Sequence, residues 1–366
     1  MKIILCGGGT AGHVTPAIAI AESLLETRPD TQILFVGREG GEENLSVTKN
    51  GFELKTLKIC GFERKISVKN IKNIYVAMSA LRKARKLVTE YSPDVVIGTG
   101  GYVCWPILKG AQRLKIPTVI HESNASPGLT TKLLSSKCDR VLLNLPGSEK
   151  EFKRQDNIRI VGNPVRNDFL TKSRTASRKK LGLRERDIFI FSFGGSGGSE
   201  RINSSVVALM QSHCTKNPNI RHIHACGRKY FSEIKSSAPK LVSGSNGCII
   251  KPYIDDMATM IAASDIVICR AGAMTIAEIS AVGASAILIP SPNVTNNHQY
   301  KNAKLICDQN AALMIEESDL NERTLCDAVK KLENDLHLRK NFSENIKGFF
   351  VKDSKEKICS EITSLL

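Results

Sequence analysis

Residues 1–13 read MKIILCGGGTAGH, with Thr15-Pro16 close behind. The apolar run 2–6 has the length of a buried strand, and Gly7, Gly8, Gly9 and Gly12 break it. Thr15 suits an N-cap and Pro16 a first helical position, so the pattern predicts strand, glycine loop, then a helix starting at Pro16. Glycines admit positive φ and close backbone approach, and the N–H groups at a helix start attract an anion. The loop is therefore expected to face a phosphate or another developing negative charge.

The same unit recurs half a chain later. Residues 188–193 form a second buried run, followed by Gly194-Gly195-Ser196-Gly197-Gly198 and a helical pattern through Val206, Val207 and Met210. After the first unit, strands are expected at 32–36, 95–98, 118–121 and 140–145, and after the second at 220–226, 248–250, 266–269 and 286–289, with helical patterns between them. Alternation of this kind predicts an α/β chain with two Rossmann-like, doubly wound parallel sheets, whose ligands sit beyond the C-terminal strand ends. The turn at Asn163-Pro164 and the basic tract 172–180 mark the boundary, giving domains 1–163 and 164–366. The last segment, 321–366, is helical in pattern.

Of the 366 residues, 42% are hydrophobic and 24% charged, ordinary for a globular protein of two domains. No run approaches the ~18 apolar residues of a spanning helix, and no leader pattern precedes the first strand, so a cytoplasmic location is expected. The 11 cysteines form no CxxC pair and read as reduced, buried small hydrophobes. A net charge of +16 calls for an anionic partner, whether nucleic acid, a membrane or a phosphorylated substrate. Aromatics at 5% offer few stacking platforms, so nucleic acid is not expected. Neither HExxH nor a Cys/His cluster is present, so no metal and no cofactor are expected.

Gly7-x-Gly9-x-x-Gly12 fits the dinucleotide fingerprint, yet the second strand ends in Gly37-Arg38-Glu39 with Arg38 where an acid should hold a ribose. An NADP-dependent oxidoreductase is the reading this leaves open. Gly194-x-Ser196-x-Gly198 matches a nucleophile elbow, but a phosphate-contacting Ser196 explains the flanking glycines equally well. His13 stands where the loop becomes a helix and is either a proton acceptor or a loop cap. His121 and Glu122 end a strand, where loop hydrogen bonding competes with chemistry. In the stretch 269–278, CRAGAMTIAE, Thr275 and Glu278 share a helical face near the helix start. A carboxylate there accepts hydrogen bonds from the two hydroxyls of a ribose, and nearby N–H groups serve a phosphate, which suits a nucleoside diphosphate. Asp255 and Asp256 read as helix caps in preference to a metal pair.

Between Glu63 and Glu90 there is no acid, while Arg64, Lys65, Lys69, Lys72, Arg82, Lys83, Arg85 and Lys86 supply positive charge. Ile71, Ile74, Tyr75, Met78 and Leu81 line one helical stripe, with Arg82 and Arg85 in the same sector. These seven are candidates for contact with an anionic membrane surface, the alternative being a stripe packed on the core.

Together, 8–13 (GGTAGH), Gly100-Gly101-Tyr102, His121-Glu122-Ser123-Asn124, Gly162-Asn163-Pro164-Val165-Arg166, the 194–198 glycine loop, 269–278 and Gln299-Tyr300 resemble the MurG family of peptidoglycan N-acetylglucosaminyltransferases. The match runs in order over nearly the whole chain. It implies the GT-B fold, with residues 1–163 taking the lipid-linked acceptor, undecaprenyl-diphospho-muramyl-pentapeptide, and 164–366 taking UDP-GlcNAc. The segment 338–366 is expected to return to the N-terminal domain. Carried over, Thr10, Ala11, Gly12, Asn124, Arg166, Ser196, Ile254, Ala273, Met274, Thr275, Ile276, Ala277, Glu278 and Gln299 match donor-binding positions. His13 and Glu122 match positions near the reaction centre. The resemblance further implies an inverting, metal-independent transfer giving a β-1,4 linkage, by a peripheral enzyme on the cytoplasmic face of the bacterial cell membrane. Its role would lie in cell-wall synthesis, and through it in cell shape and division. Ala11 and Ser123 depart from the usual glycine and glutamine of that pattern.

Overall fold

The structure is a computed structural model describing residues 1–9, 11–41, 44–59 and 68–366, with side chains at all of these except 11 and 68–74. The chain divides into two compact units, Met1–Val165 together with Val351–Leu366, and Arg166–Phe350.

The first unit holds β1 (Lys2–Cys6), β2 (Gln32–Arg38), β3 (Glu53–Leu57), β4 (Val95–Gly98), β5 (Thr118–Glu122), β6 (Arg140–Leu143) and β7 (Ile158–Ile160). They form one parallel sheet in the order β3-β2-β1-β4-β5-β6-β7. Alternate residues of β1 feed two cores, as the two-residue period of a strand requires. Ile3 and Leu5 join Ala17, Ile20 and Leu24, whereas Ile4 and Cys6 join Ala84, Val88 and Ile107. Ile358, Cys359 and Ile362 of the last helix, Ser354–Thr363, enter the first of these cores, and Glu361 pairs with Arg140 at 2.8 Å. The return to this unit, expected from 338, begins at Val351. Helix Leu336–Lys347 stays with the second unit because Phe342 fills that unit's core and Ser343 donates to the Gly283 carbonyl.

The second unit holds β8 (Ile188–Phe193), β9 (Ile220–Ala225), β10 (Cys248–Lys251), β11 (Ile266–Cys269), β12 (Ala286–Leu288) and β13 (Leu313–Met314). Its parallel order, β10-β9-β8-β11-β12-β13, repeats the pattern of the first. In both sheets the order reverses beside the first strand, between β1 and β4 and between β8 and β11. Loops at such a point diverge and leave a crevice, which is where a ligand is sought.

Two expectations need correction. The first helix is Ala11–Thr27, so Pro16 lies inside it and His13 is its third residue. The missing Pro16 N–H removes only the bond to the Gly12 carbonyl, close to the end of the helix where few ladder bonds depend on it. Leu81, assigned to the membrane-facing stripe, is buried with Ala77, Ala80, Ala84 and Val88 along helix Val68–Tyr91. Gly110 of the adjacent helix, Cys104–Arg113, comes so near that a Cβ there would lie 3.4 Å from the Arg85 backbone nitrogen. Small alanine side chains permit that approach, and they make the inward face.

Candidate functional site

At the first switch point the loops after β1 and β4 interlock through backbone. Gly8 N–H donates to the Gly100 carbonyl at 3.3 Å and Thr99 N–H to the Cys6 carbonyl at 2.9 Å. The Thr99 hydroxyl lies 2.6 Å from the His13 carbonyl oxygen. A Cβ on Gly101, whose φ is +86°, would stand 1.9 Å from the Gly8 carbonyl oxygen, so only glycine fits. His13 Nδ1 is 3.0 Å from the Gly8 carbonyl oxygen. A carbonyl demands a donor, so Nδ1 carries the proton and Nε2 the basic lone pair. The ring lies over Gly100, where a Cβ would come within 2.6 Å of His13 Cδ2. Gly12 is exposed and His13 half-buried, the side-chain placement of Ala11 falls outside the description, and Thr10 lies outside the described residues.

Glu122 closes β5 as a buried, fully engaged carboxylate. Its Oε1 accepts from the Asn124 backbone N–H at 3.2 Å and from Asn124 Nδ2 at 3.0 Å. Its Oε2 accepts from Gly128 N–H at 3.0 Å and from the Thr131 hydroxyl at 2.8 Å. Glu122 thus shapes the 122–128 loop and aims Asn124. His121 Nε2 donates to the Gly162 carbonyl at 3.1 Å, and burial lowers its pKa.

At the second switch point, the 194–198 loop carries Ser196 at an exposed tip. Ser199 then caps helix Glu200–Ser212 by accepting from Ile202 N–H at 3.4 Å. Across from it, Gly272 begins helix Ala273–Val282 in an extended conformation. Met274, Ile276 and Ala277 are buried, so what they offer a ligand is backbone, while Thr275 and Glu278 are partly open one turn apart. Arg166 lies 3.9 Å from both Glu278 and Asp168, with its guanidinium over the Phe169 ring. Burial pushes the Glu278 carboxyl up to about 7, against the pull of Arg166 and with a further push from Asp168. Ile254 is buried after β10, and Gln299 Oε1 accepts from Ser291 N–H at 2.9 Å at the start of helix His298–Asp308. Asp256 caps helix Met257–Ala263, as read from the sequence. Among the described residues, no group of three His, Cys, Asp or Glu is placed to hold a metal ion.

The structure therefore gathers Gly12 and His13 at one switch point, and Arg166, Thr275 and Glu278 within one cluster of the second unit. Arg270 was missed by sequence reasoning as a site residue. It donates to the Ser199 hydroxyl at 2.6 Å and to the Ile289 and Pro290 carbonyls, and it pairs with Glu317. It braces the loops after β8, β11, β12 and β13. The available signal was its position immediately after β11, at the reversal of strand order.

Comparison with known proteins fits this geometry. The family model for the glycosyltransferase family 28 N-terminal domain matches residues 3–143, and that for the C-terminal domain matches 189–358. A curated relative from Acetivibrio thermocellus is 41% identical over 366 residues, covering 100% of this chain and 98% of its own. It is named UDP-N-acetylglucosamine–N-acetylmuramyl-(pentapeptide) pyrophosphoryl-undecaprenol N-acetylglucosamine transferase. The chain belongs to the MurG family. A family member of the same name from Clostridioides difficile is 42% identical over 340 residues, 92% of this chain and 82% of its own. Membership makes the chain a hexosyltransferase. Its fold is GT-B, shared with Acinetobacter baumannii MurG at TM-score 0.76 and 24% identity over 99% of both chains. Staphylococcus aureus MnaA, solved with UDP, has a TM-score of 0.68 at 13% identity, over 100% of this chain and 97% of its own.

On helix Val68–Tyr91, Tyr75 is 76% and Met78 44% exposed, and Arg82 and Arg85 are exposed beside them. The placement of the Ile71 and Ile74 side chains lies outside the described residues. Among the described residues no helix is long and apolar enough to cross a membrane.

Proposed function

We propose that this chain transfers GlcNAc from UDP-GlcNAc to the 4-hydroxyl of the muramyl residue of undecaprenyl-diphospho-muramyl-pentapeptide, with inversion, yielding the disaccharide-carrying lipid used for peptidoglycan. The names of the relatives support the substrates. The observation that carries the donor side is the second switch point, where an exposed Ser196 tip, the N-terminus of helix Ala273–Val282 and the Arg166–Glu278 pair lie in one unit. Ionised Glu278 accepts from the ribose hydroxyls, while Thr275, Ser196, Arg166 and first-turn N–H groups meet the diphosphate. Ile254 flanks the uracil, and Gln299 reads the sugar.

The first unit takes the acceptor, and its His13 Nε2 removes the 4-hydroxyl proton. The acceptor oxygen forms its bond to the anomeric carbon as the bond from that carbon to the β-phosphate oxygen breaks, and UDP leaves with the electron pair. Charge growing on the diphosphate meets Arg166 and the helix N-terminus. Glu122 acts by positioning Asn124. The exposed Tyr75, Met78, Arg82 and Arg85 face suits an anionic lipid surface, so the enzyme works as a peripheral protein on the cytoplasmic face of the membrane.

Release of UDP from UDP-GlcNAc, measured with and without the lipid-linked muramyl pentapeptide, tests the assignment. Release that rises with acceptor supports it, and release indifferent to acceptor contradicts it. NADPH binding without UDP binding would instead favour the oxidoreductase reading.

A further inference from the structure

Beneath the second glycine loop lies a polar chain that the transfer chemistry does not use. Ser192 on β8, His222 and His224 on β9, Asn203 on helix Glu200–Ser212, and Cys214 and Cys226 are all buried. The Ser192 hydroxyl is 2.7 Å from His222 Nε2 and 2.8 Å from His224 Nδ1. His224 Nε2 is 3.0 Å from Asn203 Oδ1, Asn203 Nδ2 is 3.0 Å from the Cys226 carbonyl oxygen, and Cys214 Sγ is 3.5 Å from His222 Nδ1.

The directions are those of the one arrangement that pairs every side chain. The Cys226 carbonyl can only accept, so the Asn203 amide nitrogen faces it and Asn203 Oδ1 faces His224. Neutral His224 has one proton for two acceptors, Asn203 Oδ1 at 3.0 Å from Nε2 and the Ser192 backbone carbonyl oxygen at 3.1 Å from Nδ1. Carried on Nε2, it pairs every side chain of the chain and leaves Nδ1 to accept from the Ser192 hydroxyl. With that single hydrogen committed, Ser192 oxygen accepts from His222 Nε2–H, and His222 Nδ1 accepts from the Cys214 thiol. Both imidazoles are neutral in this chain, in accord with burial, which holds His224 at about 4 and, together with His224, keeps His222 well below the ordinary imidazole range.

The chain ends against the glycine loop. A Cβ on Gly198 would lie 2.1 Å from the Cys226 carbonyl oxygen, and one on Gly227 would lie 2.7 Å from the Gly197 carbonyl oxygen. The Cys226-Gly227 backbone is thus the floor on which Gly197 and Gly198 rest. We propose that Ser192, His222, His224 and Asn203 are positioning residues, a one-way hydrogen-bond chain that fixes the Cys226 carbonyl and thereby holds the 194–198 loop in its diphosphate-receiving shape. This rests on the assignment of that loop to the donor. It differs from a purely structural core, because loss of the last link displaces the loop without emptying the core.

The test is Asn203→Asp beside Asn203→Ala, with Ser192→Ala and its rescue Ser192→Thr. Asp keeps an acceptor for His224 Nε2–H but, as a carboxylate, cannot donate to Cys226. The expected result is a UDP Kd and a KM for UDP-GlcNAc raised about tenfold in both Asn203 variants, the scale of one lost buried hydrogen bond, with the acceptor KM unchanged. Ser192→Thr is expected to recover affinity lost in Ser192→Ala. Imidazole 15N shifts of the wild-type protein, which need no variant to fold, are expected to show His222 and His224 as neutral Nε2–H tautomers. An Nδ1–H tautomer at His224, or a lowered unfolding midpoint with unchanged UDP affinity, overturns the proposal while the donor assignment stands. Failure of the wild-type protein itself to bind UDP overturns both.

Discussion

Glu278→Gln separates what this carboxyl does for the donor from what it costs the fold. Its pKa rises from the ordinary 4.5 to about 7, chiefly through burial. Between those values the native state holds a proton that the unfolded chain has released, so the contribution of Glu278 to stability is full at low pH and is lost as pH rises through 7. At about 1.4 kcal/mol per pH unit, the displacement amounts to ~3 kcal/mol. Glutamine mimics the neutral form. The variant should match wild type in unfolding free energy below about pH 4, under the unfolded-state value, and exceed it by up to ~3 kcal/mol at pH 8. Donor binding should move the other way. If the ribose is held by the carboxylate, UDP-GlcNAc binds wild type about tenfold more weakly at pH 6 than at pH 8, because roughly a tenth of Glu278 is ionised at the lower value. The glutamine variant should bind weakly and without that slope. Calorimetric titration and urea melts at the two pH values read both effects. A wild-type affinity flat between pH 6 and 8, or a variant with undiminished affinity, refutes the reasoning.

Replacing His13 by Ala should lower turnover roughly 10²- to 10⁴-fold, the range for a lost general base, with UDP affinity unchanged; unchanged turnover removes His13 from the mechanism. Leu81→Ala should destabilise the first unit by ~2–5 kcal/mol, whereas Tyr75→Ser with Met78→Ser should leave melting unchanged and weaken sedimentation with anionic vesicles. The reverse pattern would restore Leu81 to the outer face. Gly101→Ala, at φ +86° and against the Gly8 carbonyl, should separate the interlocked loops, read as a lowered unfolding midpoint and lost activity; a fully active, equally stable variant contradicts the interlock.

The doubled strand–glycine–helix unit was legible because β1 and β8 are buried on both faces and so read as continuous apolar runs. The short edge strands β3, β7 and β13 were not, since ELKTL buries only Leu57, IRI and LM are only partly buried, and none forms such a run. Pro16 signalled a helix start that the backbone did not need, as the helix was already under way at Ala11. Leu81 was misplaced because Ile, Tyr and Met were weighed as the apolar stripe, while close packing against Gly110 made alanines the inward face. In the site, residue types placed Thr275 and Glu278 on one face. They could not reveal that Arg270 reaches Ser199 and Glu317, or that Ser192 joins His222 to His224. Those partners lie far apart in sequence and meet only through strand register.

The most direct measurement is the structure of the lipid product made from isotopically labelled UDP-GlcNAc and the undecaprenyl-diphospho-muramyl-pentapeptide acceptor. The expected result is a mass gain of one N-acetylhexosamine with a β-configured bond to the muramyl 4-oxygen. An unmodified acceptor, or a product with retained α configuration, would contradict a single inverting transfer by this chain.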